Sequence, residues 1–336
     1  MRELIKKLIN NENLDEKQAE YAINKILKGE CSEIQVSSFL TALRIKGETV
    51  EELAAFAKVM RSNSIQIHPK SKYQVDTCGT GGDGTNTFNI STTAMFVAAG
   101  AGCSIAKHGN RSVSSSCGSA DLLEGLGVKI DLKPDEVEKS ITKVGIGFML
   151  APLFHPTMKN VMNVRKELGV KTVFNILGPL TNPASTKNQL IGVFDEKLTE
   201  KVALVLKKLK LKHALVVHGS GLDEICLHGK TIVSELKNNE IKTYEIQPED
   251  FGFERKPLQT IQTNGLKENV QATKDVLEGK NGPHRDIVLL NAGTVIYVSG
   301  IAGSIKDGIK LAKESIDSGK AKEKLNSLIR FSSSLT

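Results

Sequence analysis

From Ala19 to Leu27 the apolar residues Ala19, Ala22, Ile23, Ile26 and Leu27 recur at helical spacing, and Gly29 ends the run. Ile34, Val36, Phe39, Leu40 and Leu43 form a second apolar face, closed by Gly47. Thr49 with Glu52 makes a capping box for a third helix carrying Leu53, Phe56, Val59 and Met60. The stretch Met1 to Lys7 also reads as an amphipathic helix. No strand pattern interrupts these segments. They predict a small all-helical domain over residues 1–70, with the polar stretch from Ser62 to Lys72 as the hinge.

Beyond the hinge the period switches. Short apolar strands at 74–76, 103–106, 146–150, 190–194 and 214–217 alternate with helical segments at 91–99, 120–126, 134–144 and 198–209. Residues 231–236 and 241–246 read as an antiparallel pair. From about Asn269 the pattern is helical to the end, broken at Gly282-Pro283. Alternation of this kind predicts an α/β domain over 71–336, with a mainly parallel central sheet surrounded by helices. Two further helical segments, His155 to Leu168 and Lys171 to Leu177, lie between strands. They are expected to rejoin the helical domain as part of a block at about 155–180.

Length and composition narrow the class. The 336 residues are 40% hydrophobic and 25% charged, which suits a globular protein of about two domains. No apolar run has the length of a membrane span. The N-terminal stretch has neither the apolar core nor the cleavage site of a signal peptide, so a cytoplasmic protein is expected. The cysteines at 31, 78, 103, 117 and 226 are odd in number and include no C-x-x-C, which argues against a disulfide framework. Lys and Arg outnumber Asp and Glu by 45 to 38, a net charge of +7. That excess serves small anionic substrates as well as it serves nucleic acid.

The chemistry concentrates after the first strand. Asp76-Thr77-Cys78-Gly79-Thr80-Gly81-Gly82-Asp83-Gly84 is a glycine-rich loop between a strand and a helix, the context of a phosphate-binding loop. It is neither a Walker A loop nor a dinucleotide fingerprint, because both spacings are wrong. Asn89-Ile90-Ser91-Thr92 follows at a helix start, where capping and anion binding draw on the same amides. Lys107 to Ser119, KHGNRSVSSSCGS, offers cations, hydroxyls and glycines suited to pyrophosphate oxygens. His108 alone in that loop reads as a packing or hydrogen-bonding residue rather than a catalyst. Asp223-Glu224 follows a buried strand, where a solvated turn and an Mg²⁺ site are comparable readings. Cys226 and His228 nearby do not amount to a zinc site.

These elements, in this order, resemble the anthranilate phosphoribosyltransferase family. The matching residues are 76–84, Asn89 to Thr92, Lys107 to Ser115, Gly118-Ser119-Ala120-Asp121, Arg165, Phe174-Asn175, Gly178-Pro179-Leu180, Asn182-Pro183 and Asp223-Glu224. One departure is local: such enzymes often carry a basic residue near position 116, and here it is Ser. The resemblance implies transfer of a phosphoribosyl group from phosphoribosyl diphosphate to the amine of anthranilate. It also implies a homodimer formed through the helical part.

The resemblance places phosphoribosyl diphosphate on Gly79, Gly82, Asp83, Thr87, Asn89, Ile90, Ser91, Thr92, Lys107, His108, Gly109, Asn110, Arg111, Ser112, Val113, Ser114, Ser115 and Ser119. It places anthranilate on Gly79, Asn110 and Arg165, and Mg²⁺ on Ser91, Asp223 and Glu224. No acid–base pair is called for, because the aromatic amine is already neutral and catalysis would rest on position and electrostatics. Two other readings stay open: a transferase like the pyrimidine nucleoside phosphorylases, and a catalytically silent relative that binds nucleic acid. Acids in the groove speak against the second, since a polyanion binder gains nothing from them.

Overall fold

The computed structural model describes residues 1–112 and 117–335. The chain opens with four helices, α1 (Arg2–Ile9), α2 (Glu16–Leu27), α3 (Glu33–Lys46) and α4 (Val50–Ser62). Capping boxes at Asp15/Gln18, Ser32/Gln35 and Thr49/Glu52 start the last three. Each begins where a short polar side chain can take an orphan amide and where the apolar period begins. Phe39 and Phe56 meet edge-on, with ring centroids 6.4 Å apart, at the centre of this group.

The rest is β1 (Gln74–Gly79), α5 (Ile90–Gly100), β2 (Ser104–Gly109), α6 (Ser119–Gly125), α7 (Pro134–Val144), β3 (Ile146–Leu150), α8 (Ala151–Phe154), α9 (Lys159–Leu168), α10 (Val173–Leu180), β4 (Asn188–Gly192) and α11 (Leu198–Lys208). It continues with β5 (His213–Gly219), β6 (Thr231–Lys237), β7 (Glu240–Ile246), α12 (Leu266–Leu277), α13 (Pro283–Ser299), α14 (Ile305–Asp317) and α15 (Lys320–Ser333). The strands form one sheet in the order β3-β2-β1-β4-β5-β6-β7. The first five are parallel, and β6 and β7 add antiparallel to the edge. The expected mainly parallel sheet with helices around it is what the chain forms.

Strand β5 is buried on both faces, and its alternation sorts the core in two. Leu215 and Val217 face a cluster with α5, α12, α13, α14 and α15. Ala214 and Val216 face a second cluster that runs without a break into α1–α4. Val161 and Val164 of α9 and Val173, Phe174, Ile176, Leu177 and Leu180 of α10 belong to that second cluster. Arg61 of α4 reinforces the join: its Nε donates to the Leu180 carbonyl at 2.7 Å, capping the end of α10.

Three boundaries differ from the sequence pattern. The segment from His155 begins as a 3₁₀ turn, Pro156–Met158, because a residue before proline avoids the α region. The second segment becomes helical at Val173, not Lys171. Gly169 ends α9 at φ 61°, and the Thr172 amide donates to Asn175 Oδ1 at 2.9 Å as the new helix starts. Lys171 is therefore on the connection. The C-terminal region starts at Leu266 and contains further breaks at Gly300 and Gly319, both with left-handed φ. Among the described residues, no helix is long and apolar enough to cross a membrane.

Candidate active site

The C-terminal ends of β1 and β4 lie side by side, with Gly79 paired to Gly192. The turn after β5 folds back over them. A Cβ at Gly192 would sit 1.5 Å from the Asp223 carbonyl oxygen, and one at Gly79 only 2.3 Å from Asp223 Oδ2. No side chain fits at either position, so the paired glycines are what admit the acid. Asp223 Oδ2 accepts the Gly81 amide at 2.6 Å, and the Asp223 amide approaches Asp83 Oδ2 at 3.4 Å. Asp83 Oδ1 in turn accepts the Thr85 amide at 3.0 Å. Gly81, Gly82 and Gly84 all hold left-handed φ, a backbone conformation glycine adopts without steric cost.

Glu224 serves a different element. Its Oε1 accepts the Ser91 amide at 3.1 Å, in the first turn of α5. The helix has no side-chain cap of its own at Asn89. An acid 133 residues away does the capping and places a negative charge at the positive end of the helix. Asn89 is held from three directions. Its amide donates to Asn269 Oδ1 at 2.9 Å, and its Nδ2 reaches Cys117 Sγ at 3.2 Å and the Gly118 carbonyl at 3.4 Å. Thr87 bridges to Gln262, and the Phe88 amide donates to the Ile261 carbonyl at 3.0 Å. Ile90 and Thr92 are buried in α5.

The acids are crowded. Burial pushes the Asp223 carboxyl well above the usual range, and the charges of Asp83 and Glu224 push further. Burial raises Glu224 to about 7, opposed by Lys107 and by the Ser91 hydrogen bonds. Asp76, behind them, is raised by burial and held back by Lys107. Lys107 is buried; its Nζ donates to the Thr77 carbonyl at 2.5 Å and to Ser91 Oγ at 3.3 Å. One buried cation faces several acids, so their charged forms lack compensation.

Among the described residues, no three His, Cys, Asp or Glu side chains converge as a ready-made metal cage. Mg²⁺ does not need one. It takes one or two carboxylates and completes its octahedron with substrate phosphates and water. A carboxylate pair whose charged forms are disfavoured by burial and mutual repulsion, beside the Ser91 hydroxyl, fits such a half-site, since a cation would compensate them.

Around the end of β2 the backbone is tightly nested. A Cβ at Gly109 would meet Ser119 Oγ at 2.4 Å, and the Asn110 carbonyl accepts Ser119 Oγ and the Ala120 amide, both at 3.2 Å. Asp121 Oδ2 gathers the Ser112 amide at 3.0 Å and the Gly118 amide at 2.9 Å. The Arg111 guanidinium is bound to Glu124 and Asp121. Val113, Ser114, Ser115 and position 116 lie outside the described residues.

His108 is buried 5.0 Å from the ring of His155. Burial, then the neighbouring His155 and Lys107, lowers it to about 3, and burial lowers His155 to about 4. Imidazoles this hard to protonate are weak bases.

Arg165 lies on α9, half-buried, with its guanidinium carbon 5.4 Å from the centre of the Phe174 ring. It has no acidic partner among the described residues. A cation stacked on a ring and free of acids is prepared for a planar carboxylate. Two residues that carried no sequence signal also enter the site. Asn269 fixes Asn89, and Lys171 lies beside Gly82. Polar residues of these types are common on any surface, and only the tertiary contacts single them out.

The comparisons with known proteins converge on one family. Residues 2–64 match the helical bundle domain of a glycosyl transferase family, and residues 71–322 match the family's a/b domain. The chain is 51% identical over 335 residues to the anthranilate phosphoribosyltransferase of Acetivibrio thermocellus, covering 99% of this chain and 97% of that one. It is 51% identical over 337 residues to the enzyme of Methanosarcina acetivorans, covering 100% and 91%. Among solved structures, anthranilate phosphoribosyltransferase from Thermus thermophilus superposes with a TM-score of 0.93 at 40% identity, covering 98% of this chain and 99% of that one. The Saccharomyces cerevisiae enzyme in complex with PRPP and Mg superposes with a TM-score of 0.91 at 35% identity, covering 99% and 98%. This chain belongs to the anthranilate phosphoribosyltransferase family.

Proposed function

We propose that this protein transfers the 5-phosphoribosyl group of phosphoribosyl diphosphate to the amine of anthranilate, with Mg²⁺ bound, as a step of tryptophan biosynthesis. The observation that carries the proposal is the seating of Asp223 and Glu224. One is pinned to the glycine loop through Gly81, the other to the first turn of α5 through Ser91. This brings acids, amides and hydroxyls together beyond the C-terminal ends of β1 and β4, as a metal-bound diphosphate requires.

In this reading the diphosphate and ribose lie on Gly79, Gly82, Asp83, Thr87, Asn89 to Thr92, Lys107 to Ser112 and Ser119; Val113 to Ser115, assigned to the same ligand, lie outside the described residues. Ser91, Asp223 and Glu224 hold Mg²⁺, and Gly79, Asn110 and Arg165 receive anthranilate. When bound, Mg²⁺ supplies positive charge against the leaving pyrophosphate. The bond between ribose C1 and the pyrophosphate oxygen breaks with its electron pair leaving on pyrophosphate. The amine lone pair forms the C1–N bond, and the nitrogen gives up one proton to solvent. Loop amides and the buried Lys107 add donors and charge on the leaving side. Arg165 holds the carboxylate so that the amine faces C1.

Three coarser features go with this function. The helical domain is taken as residues 1–70, joined by the helices of about 155–180, with 71–336 as the substrate-binding domain. Exposed Ile34 (80%) and Ile45 (82%) on α3 support a homodimer formed through that helical part. Five free cysteines fit a cytoplasmic, reducing setting. The test of the function is direct: mix the purified protein with anthranilate, phosphoribosyl diphosphate and MgCl₂ and follow the loss of anthranilate fluorescence. No loss with all three present would refute the assignment.

A further inference from the structure

Lys171 stands on the connection between α9 and α10, half-buried, with no acidic partner among the described residues. Its Nζ lies 3.9 Å from the centre of the Phe194 ring. A methyl built on Gly82 would meet Lys171 Cε at 3.0 Å and Nζ at 3.5 Å. Phe194 is itself tied to the loop, since its amide donates to Thr80 Oγ1 at 3.1 Å. The Lys171 cation therefore rests on an aromatic ring that is itself hydrogen-bonded to the glycine loop. The loop beside it holds left-handed glycines at 81, 82 and 84, so no Cβ stands between its backbone and an anion.

The other two cations near the diphosphate are already committed. Lys107 donates to the Thr77 carbonyl and Ser91 Oγ, and Arg111 is paired with Glu124 and Asp121. Lys171 is held only by a ring, and a cation–ring contact is weaker than a charge-assisted hydrogen bond to phosphate. We propose that Lys171 is a further substrate-binding residue, whose ammonium moves from Phe194 onto the diphosphate oxygens held over Gly81 and Gly82. This rests on the function proposed above and extends its set of diphosphate ligands to a residue outside the glycine loop. Lys171 lies between α9, which carries Arg165, and α10, which carries the Phe174 ring against it, so residues of the two substrate sites follow one another along this stretch.

The test uses the full chain with Lys171→Met and Lys171→Arg. Calorimetry with MgCl₂ and inorganic pyrophosphate reads the binding directly, without turnover. Steady-state rates give KM for phosphoribosyl diphosphate and for anthranilate, and thermal unfolding checks the fold. Loss of one charge-assisted contact predicts pyrophosphate binding weaker by about tenfold or more in Lys171→Met, with a matching rise in KM for phosphoribosyl diphosphate. The anthranilate KM and the unfolding temperature stay unchanged, and Lys171→Arg recovers most of the binding. Pyrophosphate affinity in Lys171→Met within about twofold of the parent overturns the proposal, as does a rise confined to the anthranilate KM. If the parent binds pyrophosphate but makes no phosphoribosylanthranilate, the reaction assignment fails while the calorimetric comparison still decides the role of Lys171.

Discussion

Asp223 Oδ2 accepts the amide of Gly81 at 2.6 Å across 142 residues of chain, and the absence of a side chain at Gly79 is what lets it arrive. Gly79 does not have a left-handed φ, so alanine there costs no backbone strain. Its methyl would overlap the carboxylate. Gly79→Ala is therefore expected to leave the fold intact and lower kcat/KM by about 100-fold, the cost of displacing a binding group by about an ångström. Activity close to that of the parent would show that Asp223 is not needed in its present seat.

The acid pair can be tested together. Asp223→Asn with Glu224→Gln keeps the shape and the amide contacts but removes the charge a divalent cation needs. Turnover at limiting Mg²⁺ should fall by at least about tenfold and recover partly at high Mg²⁺. A titration of rate against MgCl₂ reads this, and an unchanged curve would reject the metal role.

Arg165 has its aromatic support and no competing acid, so its loss should be felt by one substrate. Arg165→Ala is expected to raise the anthranilate KM by about 10- to 100-fold, the range of a charge-assisted contact to a carboxylate. The KM for phosphoribosyl diphosphate should hardly move. Equal shifts in both constants would point to a structural role for the α9 face instead.

At the antiparallel end of the sheet, Glu235 accepts hydrogen bonds from His213 at 2.9 Å, Tyr297 at 2.7 Å and Tyr244 at 2.8 Å. Burial raises its pKa, but these bonds and the His213 charge outweigh that and leave it at about 2. The folded value lies below the unfolded one of about 4.3, so the stabilisation is complete above the unfolded value and is lost as pH falls through about 2. Near neutral pH, Glu235→Gln should be less stable than the parent by about 1–3 kcal/mol. Urea unfolding at descending pH should show the two proteins converging below about pH 4. A difference that does not change with pH would mean that the carboxylate's charge is irrelevant there.

The α3 surface bears on assembly. Ile34 and Ile45 are each about four-fifths exposed (80% and 82%) and stand on the one helix, α3, where an interface through the helical part would cover them. Ile34→Glu with Ile45→Glu should convert a dimer to monomers in sedimentation while the far-UV circular dichroism stays that of the parent, since neither side chain is in the core. A parent that sediments as a monomer would remove the dimer from the proposal.

The sequence determined the local elements and the kinds of chemistry. Helical spacing before residue 62, the capping box at Thr49/Glu52, and short apolar strands alternating with helical segments afterwards were enough for an all-helical start and a mainly parallel sheet. Those signals act within a turn or a strand and are written in adjacent residues. The glycine loop was legible for the same reason, while Asp223-Glu224 read equally as a solvated turn and took its metal role from the family resemblance. What only the tertiary structure decided is which groups meet. The pairing of Gly79 with Gly192 under Asp223, the capping of α5 by Glu224, the hold of Asn269 on Asn89 and the place of Lys171 beside Gly82 are contacts between residues far apart in the chain. Each depends on how strand ends and helix starts are brought together by burial of the core, and burial is indifferent to sequence distance. Single residues such as Lys171 look like ordinary surface cations until packing gives them a neighbour.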